Sequence, residues 1–191
     1  MSITNMDSNI GYLKLIIGPM FAGKSTELLR IINMYKILNK KILIINHNIN
    51  KRYDQPNSSI VTHDRNKIDN CLAVTSLNEI SDEFIGLHDV IIIEELQFFE
   101  DAYINIVKMV DDFKKHVICA GLDGDFNRQP FGDVLRLIPH CDDIVKLKAL
   151  CKKCGDGTPA LFSKRIVNND KTTLVGSNDC YEAVCRMHYL E

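Results

Sequence analysis

Along this chain, short and mostly apolar runs take turns with longer stretches in which apolar residues return every three or four positions. Tyr12 to Ile17, Lys41 to Asn46, Val90 to Ile93, Val117 to Ala120 and Ile144 to Lys148 are runs of the first kind. Lys41 to Asn46 in particular has the mark of a strand buried on both faces of a parallel sheet. Between Ser25 and Leu38, the apolar positions Leu28, Leu29, Ile32, Tyr35 and Ile37 or Leu38 share one helical face. Asp101 to Phe113 repeats that pattern, and Leu77 to Phe84 and Val134 to Ile138 predict two shorter helices. Strand and helix in this rhythm predict an α/β fold, a parallel sheet with helices on both faces. At Leu150 the pattern changes to short β-like runs (Leu161 to Val167, Thr172 to Val175) and cysteines, with little helical periodicity. The expected organisation is a polar tail over 1–11, an α/β domain over 12–149 and a small lobe over 150–191.

The stretch after the first strand carries the chemistry. Gly18 to Ser25 has the spacing G-x-x-x-x-G-K-S between a strand and a helix, the context of a phosphate-binding loop. Backbone N–H groups there can converge on an anion at the positive end of a new helix. Lys24 would reach the β- and γ-phosphates of a nucleoside triphosphate, and the Ser25 hydroxyl would join Mg²⁺. The polar stretch His47 to Asn70 is expected to leave a strand end next to that loop, which makes Arg52 a candidate ligand contact.

Glu94 and Glu95 follow the Val90 to Ile93 strand. An acid at the tip of a neighbouring strand holds Mg²⁺ in phosphate-loop proteins, a place Glu94 fits. Glu95 would point into the cleft, where a carboxylate can take the proton of an attacking hydroxyl. The division of roles between the two is open at this stage. Cys151 and Cys154, then Cys185 and His188 after a gap of thirty residues, have the count and spacing of a tetrahedral structural zinc site. Cys180 lies outside both pairs and competes as a ligand; Cys71, Cys119 and Cys141 read as core residues. Phe98, Phe99, Phe126, Phe131 and Tyr181 are placed on loops, where core packing is the default and a flat base held between rings the alternative.

Composition narrows the function classes. A formal net charge of -2, with no run of Lys or Arg longer than two, disfavours sequence-independent nucleic-acid binding. No apolar run reaches the length of a membrane span. Met1 to Asn9 is polar and lacks a signal-peptide pattern, so reduced thiols and a cytoplasmic setting are expected.

These residues together resemble the type II thymidine kinases of animal cells, poxviruses and many bacteria. The resemblance runs from about Tyr12 to Tyr189. It rests on Gly18 to Glu27, Thr62-His-Asp-Arg65, Glu95 with Gln97-Phe-Phe99, Leu122-Asp-Gly with Phe126 and Pro130-Phe131, Lys164-Arg165, Tyr181 and the zinc pairs. The resemblance implies a phosphate-loop (RecA-like) sheet with a zinc-containing lasso lobe. It also implies transfer of the ATP γ-phosphate to the 5′-hydroxyl of thymidine or deoxyuridine, with Mg²⁺. Glu95 is then the base, and Arg52 and Arg165 stabilise charge near the transferred group. Gly18, Pro19, Met20, Phe21, Ala22, Gly23, Lys24, Ser25, Asn50, Lys51, Glu94 and Gln97 would bind the nucleotide and its metal. Met20, Phe98, Phe126, Thr172, Thr173, Leu174, Val175, Gly176 and Tyr181 would enclose the nucleoside. A homotetramer, inhibition by thymidine triphosphate, and the absence of nucleic-acid or membrane partners are implied in the same way. Four positions depart from the family pattern. Glu94 and Asn50 stand where aspartate is common, Leu96 where glycine is, and His188 where several members have cysteine.

Two other classes compete. One is a phosphate-loop kinase or ATPase acting on another small molecule, which would lack a base-enclosing lobe after residue 150. The other is a zinc-ribbon binding module with an inactive nucleotide site, against which the net charge and the complete catalytic set both argue.

Overall fold

The computed structural model describes residues 10–50, 60–61, 67–68, 71–168 and 179–191. The tail over 1–9, Lys51, Arg52, Thr62 to Arg65 and Thr172 to Gly176 lie outside the described residues, as does the Asn50 side chain. In chain order the elements are β1 (Tyr12–Ile17), α1 (Lys24–Ile37), β2 (Ile42–His47), β3 (Ile60–Val61), β4 (Lys67–Ile68), β5 (Leu72–Val74), α2 (Asp82–Gly86), β6 (Val90–Ile93), α3 (Ala102–Asp111) and β7 (His116–Gly121). After these come β8 (Asp143–Lys146), β9 (Ala149–Leu150), β10 (Pro159–Ala160), β11 (Phe162–Arg165), β12 (Tyr181–Val184) and α4 (Arg186–Leu190).

Six strands form one parallel sheet in the order β5-β2-β6-β7-β1-β8. Alternation along each strand splits the core in two. Leu13, Leu15, Ile17, Leu43, Ile45, Ile91, Ile93, Val117 and Cys119 meet Ala102, Ile106, Met109 and Val110 of α3 on one face. On the other, Ile16, Ile44, Val90, Ile92, Ile118 and Ala120 meet Leu28, Ile31, Ile32 and Tyr35 of α1. The expected α/β sheet with helices on both faces is therefore the observed architecture.

The strand order corrects two expectations. The strand that ends at Glu94 is not the immediate neighbour of β1, because β7 lies between them. The polar stretch after β2 does not leave the sheet beside the phosphate loop, since β6 and β7 both intervene. Strand adjacency is decided by which crossovers pack, and apolar runs alone do not encode it. The edge strand β5 is absent from the sequence-based expectation; its three residues are too few to show a period. Two helices stand where one is expected over Leu77 to Phe84, for a local reason. Ser76 and Glu79 form a capping box around a single 3₁₀ turn, Leu77–Glu79, and Ser81 then caps a new helix by accepting from Phe84 N–H. The helix expected at Val134 to Ile138 is a 3₁₀ helix, Val134–His140.

Beyond β8, the hairpins β9/β10 and β11/β12 enclose a small separate core of Ala149, Cys151, Ala160, Ala183, Val184 and Cys185. Tyr181 belongs to β12 and is buried, so it is not a loop residue; Phe99 stands between the 3₁₀ turn Leu96–Phe98 and α3 and is fully buried against His47, the core packing expected of it.

Candidate active site and metal centre

β1 delivers its chain straight into the loop Gly18 to Gly23, and α1 begins at Lys24. Gly18 has φ +145°, and a Cβ there would lie 2.5 Å from the Leu147 carbonyl oxygen, so only glycine fits against β8's continuation. Gly23 stands at the helix N-cap with φ +82° and has no side chain to cap the first turn. The N–H groups of that turn are thus left for an anion, which the helix dipole favours. Lys24 Nζ donates to the carbonyls of Pro19 (2.7 Å) and Gly18 (3.2 Å), within its own loop. A phosphate offers that ammonium full charge in place of two dipoles. Ser25 is the second residue of α1, on the same turn.

Directly after β6 comes Glu94, which is 5% exposed and whose N–H donates to Ile45 O. The register pairs Ile93 with Cys119 on β7, and Gly121 with Ile17 on β1. The carboxylate pair and the phosphate loop therefore emerge from the same end of the sheet, two strand spacings or about 10 Å apart. Glu95 takes up the left-handed region, φ +53° and ψ +42°, which turns the chain out of the strand. Gln97 holds its carboxylate: Gln97 Nε2 donates to Glu95 Oε2 at 2.6 Å, and Gln97 Oε1 accepts from Leu122 N–H at 3.0 Å. Gln97 is only 4% exposed, with both ends of its amide turned inward. That bridge from Glu95 to the loop after β7 is not legible in the sequence, where Gln97 reads only as a nucleotide contact.

The loop after β7 carries Phe126, and the lobe reaches it from the far side. Arg165 of β11 stacks its guanidinium 3.7 Å from the Phe126 ring centroid and donates from Nη2 to Tyr181 Oη at 2.7 Å. Arg165, Phe126 and Tyr181 thus come together. Tyr189 Oη donates to Phe126 O at 2.8 Å, and Arg128 lies 4.4 Å over the Tyr189 ring, fastening the same loop to α4. Met20 N–H donates to Ser163 Oγ at 2.9 Å. Phe98 packs edge-on to Phe131 and near His47, at the C-terminal edge of the sheet.

Cys151, Cys154, Cys185 and His188 converge, with their ligand atoms all within 4.8 Å of one another; Cys180 is not among them. Cys154 Sγ lies 3.8 Å from Cys185 Sγ, and His188 Nδ1 lies 3.5, 3.4 and 3.3 Å from the sulfurs of Cys151, Cys154 and Cys185. A tetrahedron with zinc bond lengths requires about 3.8 Å between sulfurs and about 3.6 Å from sulfur to nitrogen, so the four residues fit that ion. Desolvation pushes the Cys151 thiol up, but hydrogen bonds from Cys185 and Cys154 N–H, the Cys154 thiol and His188 outweigh it and bring it to about 6. Burial and the adjoining Cys151 push the Cys154 thiol up to about 11, so thiolate character in the metal-free cluster is concentrated on Cys151. Cys71 and Cys119 are buried in the sheet's two cores and Cys141 is half-buried, while no described cysteine is in a disulfide.

Among the described residues, no helix is long and apolar enough to cross a membrane. The family model described as thymidine kinase matches residues 11–189. The thymidine kinase of Yaba monkey tumor virus is 40% identical over 186 residues, covering 97% of this chain and 98% of the relative. That of monkeypox virus is 42% identical over 183 residues, and that of vaccinia virus (strain Western Reserve) 41% over 183; each covers 96% of this chain and 99% of the relative. With a phosphate loop, a carboxylate pair and a four-ligand metal centre in one fold, and a match that spans nearly its whole length, the chain belongs to the thymidine kinase family.

Proposed function

We propose that the enzyme transfers the γ-phosphoryl group of ATP to the 5′-hydroxyl of thymidine, with Glu95 taking the hydroxyl proton. The observation that carries the assignment is the hold on Glu95. Its carboxylate sits at the end of β6, facing the same sheet edge as the phosphate loop, and a buried amide fixes it at 2.6 Å. A base held in one orientation contributes to phosphoryl transfer by positioning as much as by proton affinity. Lys24 and the N–H groups at the start of α1 would bind the β- and γ-phosphates. Ser25 and Glu94 would hold Mg²⁺, which when bound neutralises charge on the phosphate oxygens.

Arg165 is stacked on the Phe126 ring and lies near the Tyr181 ring. It is suited to meet charge on the transferred group, and Arg52 is assigned the same task on the family pattern. Met20, Phe98, Phe126 and Tyr181 would wall the base, with Thr172, Thr173, Leu174, Val175 and Gly176 closing over it as the family's lasso. Asn50, Lys51 and the 94–97 turn would complete the nucleotide site. We read residues 150–191 as the lobe that brings these groups together, held by zinc on Cys151, Cys154, Cys185 and His188. A homotetramer, feedback by thymidine triphosphate and a cytoplasmic setting, in which thiols stay reduced, belong to the same reading.

The test is ADP release with ATP, Mg²⁺ and each of the four deoxynucleosides, with deoxyuridine added. Thymidine and deoxyuridine are expected to turn over and deoxyadenosine and deoxyguanosine to be inert, because a purine does not fit a pocket built around a small ring. Equal turnover of purines, or ADP release that needs no nucleoside, would overturn the substrate assignment.

A further inference from the structure

The phosphate loop does not hold its own shape. Phe21 has φ +65°, a conformation unfavourable for a non-glycine residue, so its surroundings must impose it. Those surroundings belong to the metal-bearing lobe. Phe21 and Ala22 pack against the small core of Ala149, Cys151, Ala160, Ala183, Val184 and Cys185, two of whose members are ligands of the metal centre. One residue earlier, Met20 N–H donates to Ser163 Oγ at 2.9 Å. Ser163 is 5% exposed, lies on β11 opposite Ala183, and faces the same side of the strand as Arg165.

We propose that Ser163 is a positioning residue for the phosphate loop, and that through it and the packing of Phe21 the metal-bearing lobe sets the loop's affinity for ATP. The hydroxyl takes an N–H upstream of those at the start of α1 and braces the loop from the lobe's side. The lobe is then more than a cover for the nucleoside: the strand that presents Arg165 also fixes the ATP loop, and a shift of β11 moves both. Coupling of this kind is reciprocal, so ATP tightens the lobe's grip on its metal as the metal tightens the loop's grip on ATP. This inference rests on the reading of Gly18 to Ser25 as the ATP site.

The experiment compares wild type, Ser163→Ala and Ser163→Thr in the zinc-loaded full chain. Binding of Mg²⁺ with a non-hydrolysable ATP analogue is measured without nucleoside, alongside KM for ATP and for thymidine. Ser163→Ala leaves a partly buried N–H without its acceptor, and ATP binding is expected to weaken about 5- to 20-fold. KM for thymidine is expected to change less than about twofold, and Ser163→Thr, which keeps the hydroxyl, to restore binding to within about twofold of wild type. Zinc transfer to a chromogenic chelator gives a second reading that needs no variant. The analogue should slow it several-fold in wild type, with that protection lost in Ser163→Ala. Unchanged ATP binding in Ser163→Ala, or zinc release indifferent to the analogue, overturns the proposal while the ATP site stands. Failure of wild type to bind the analogue at all overturns the ATP site itself.

Discussion

Glu95 and the two buried histidines show how single side chains are committed in this fold. Glu95 is held in the left-handed region by the turn Leu96–Phe98, in which Leu96 and Gln97 are buried and the backbone is fixed. The Gln97 amide then fixes the carboxylate. His47 is equally constrained. Its Nε2–H donates to Thr75 O at 3.0 Å and its Nδ1 accepts from Ile49 N–H at 3.1 Å, a pattern only the neutral ring satisfies. Burial lowers its pKa below the ordinary 6.5, and burial, with Lys40 nearby, does the same to His116, which meets Tyr35 Oη at 3.2 Å. Between pH 6.5 and those lowered folded values the unfolded chain binds protons that the folded one refuses, so stability falls as pH falls through that window. Melting temperature should therefore drop from pH 7.5 to 5.5 with zinc content verified at each pH. The drop should be smaller in the double variant His47→Gln, His116→Gln. The same pH slope in wild type and variant would contradict this.

At the level of elements, the turn from β7 into the 3₁₀ helix Val134–His140 is built on a close approach. Gly132 has φ +58°, and a Cβ there would lie 2.5 Å from Gln97 O, in the turn that orients Glu95. Gly132→Ala should cost about 1–3 kcal/mol, seen as a fall in melting temperature of roughly 3–10 °C, and should lower kcat with it. A variant that melts like wild type would show that the turn yields freely. Elements whose signal is local were legible in the sequence: the apolar runs of β1, β2, β6 and β7, the periodic faces of α1 and α3, and the loop between Gly18 and Ser25. So was the metal quartet, because ligand spacing within each pair is local even when the pairs are distant. Strand order, β5 and the inward-facing amide of Gln97 were not. Each depends on contacts between residues far apart in the chain, such as Gln97 with Leu122. The meeting of Arg165 with Phe126 is of the same kind: the resemblance supplied a role for each residue, but no local pattern placed one ring against the other.

For the whole molecule, catalysis is read as the product of two bodies of structure meeting at one edge of a sheet. The parallel sheet brings the phosphate loop and the carboxylate pair to its C-terminal edge through the register of β1, β7 and β6. The lobe contributes Ser163, Arg165 and Tyr181 from the opposite side and closes on the loop after β7 through Tyr189 and Arg128. Arg165 and Tyr181 come from the lobe, while Glu95 and the loop Gly18 to Ser25 come from the sheet. On the proposed reading, Glu95 removes the 5′-hydroxyl proton in the site so formed. The most direct test is the single-turnover rate of thymidine phosphorylation at saturating ATP and thymidine in wild type and Glu95→Gln. Glutamine keeps the size and can still meet Gln97, but it cannot take a proton. The rate is expected to fall about 10²- to 10⁴-fold, with binding of both substrates largely preserved. A rate within a few-fold of wild type would contradict it and remove Glu95 from the proton transfer.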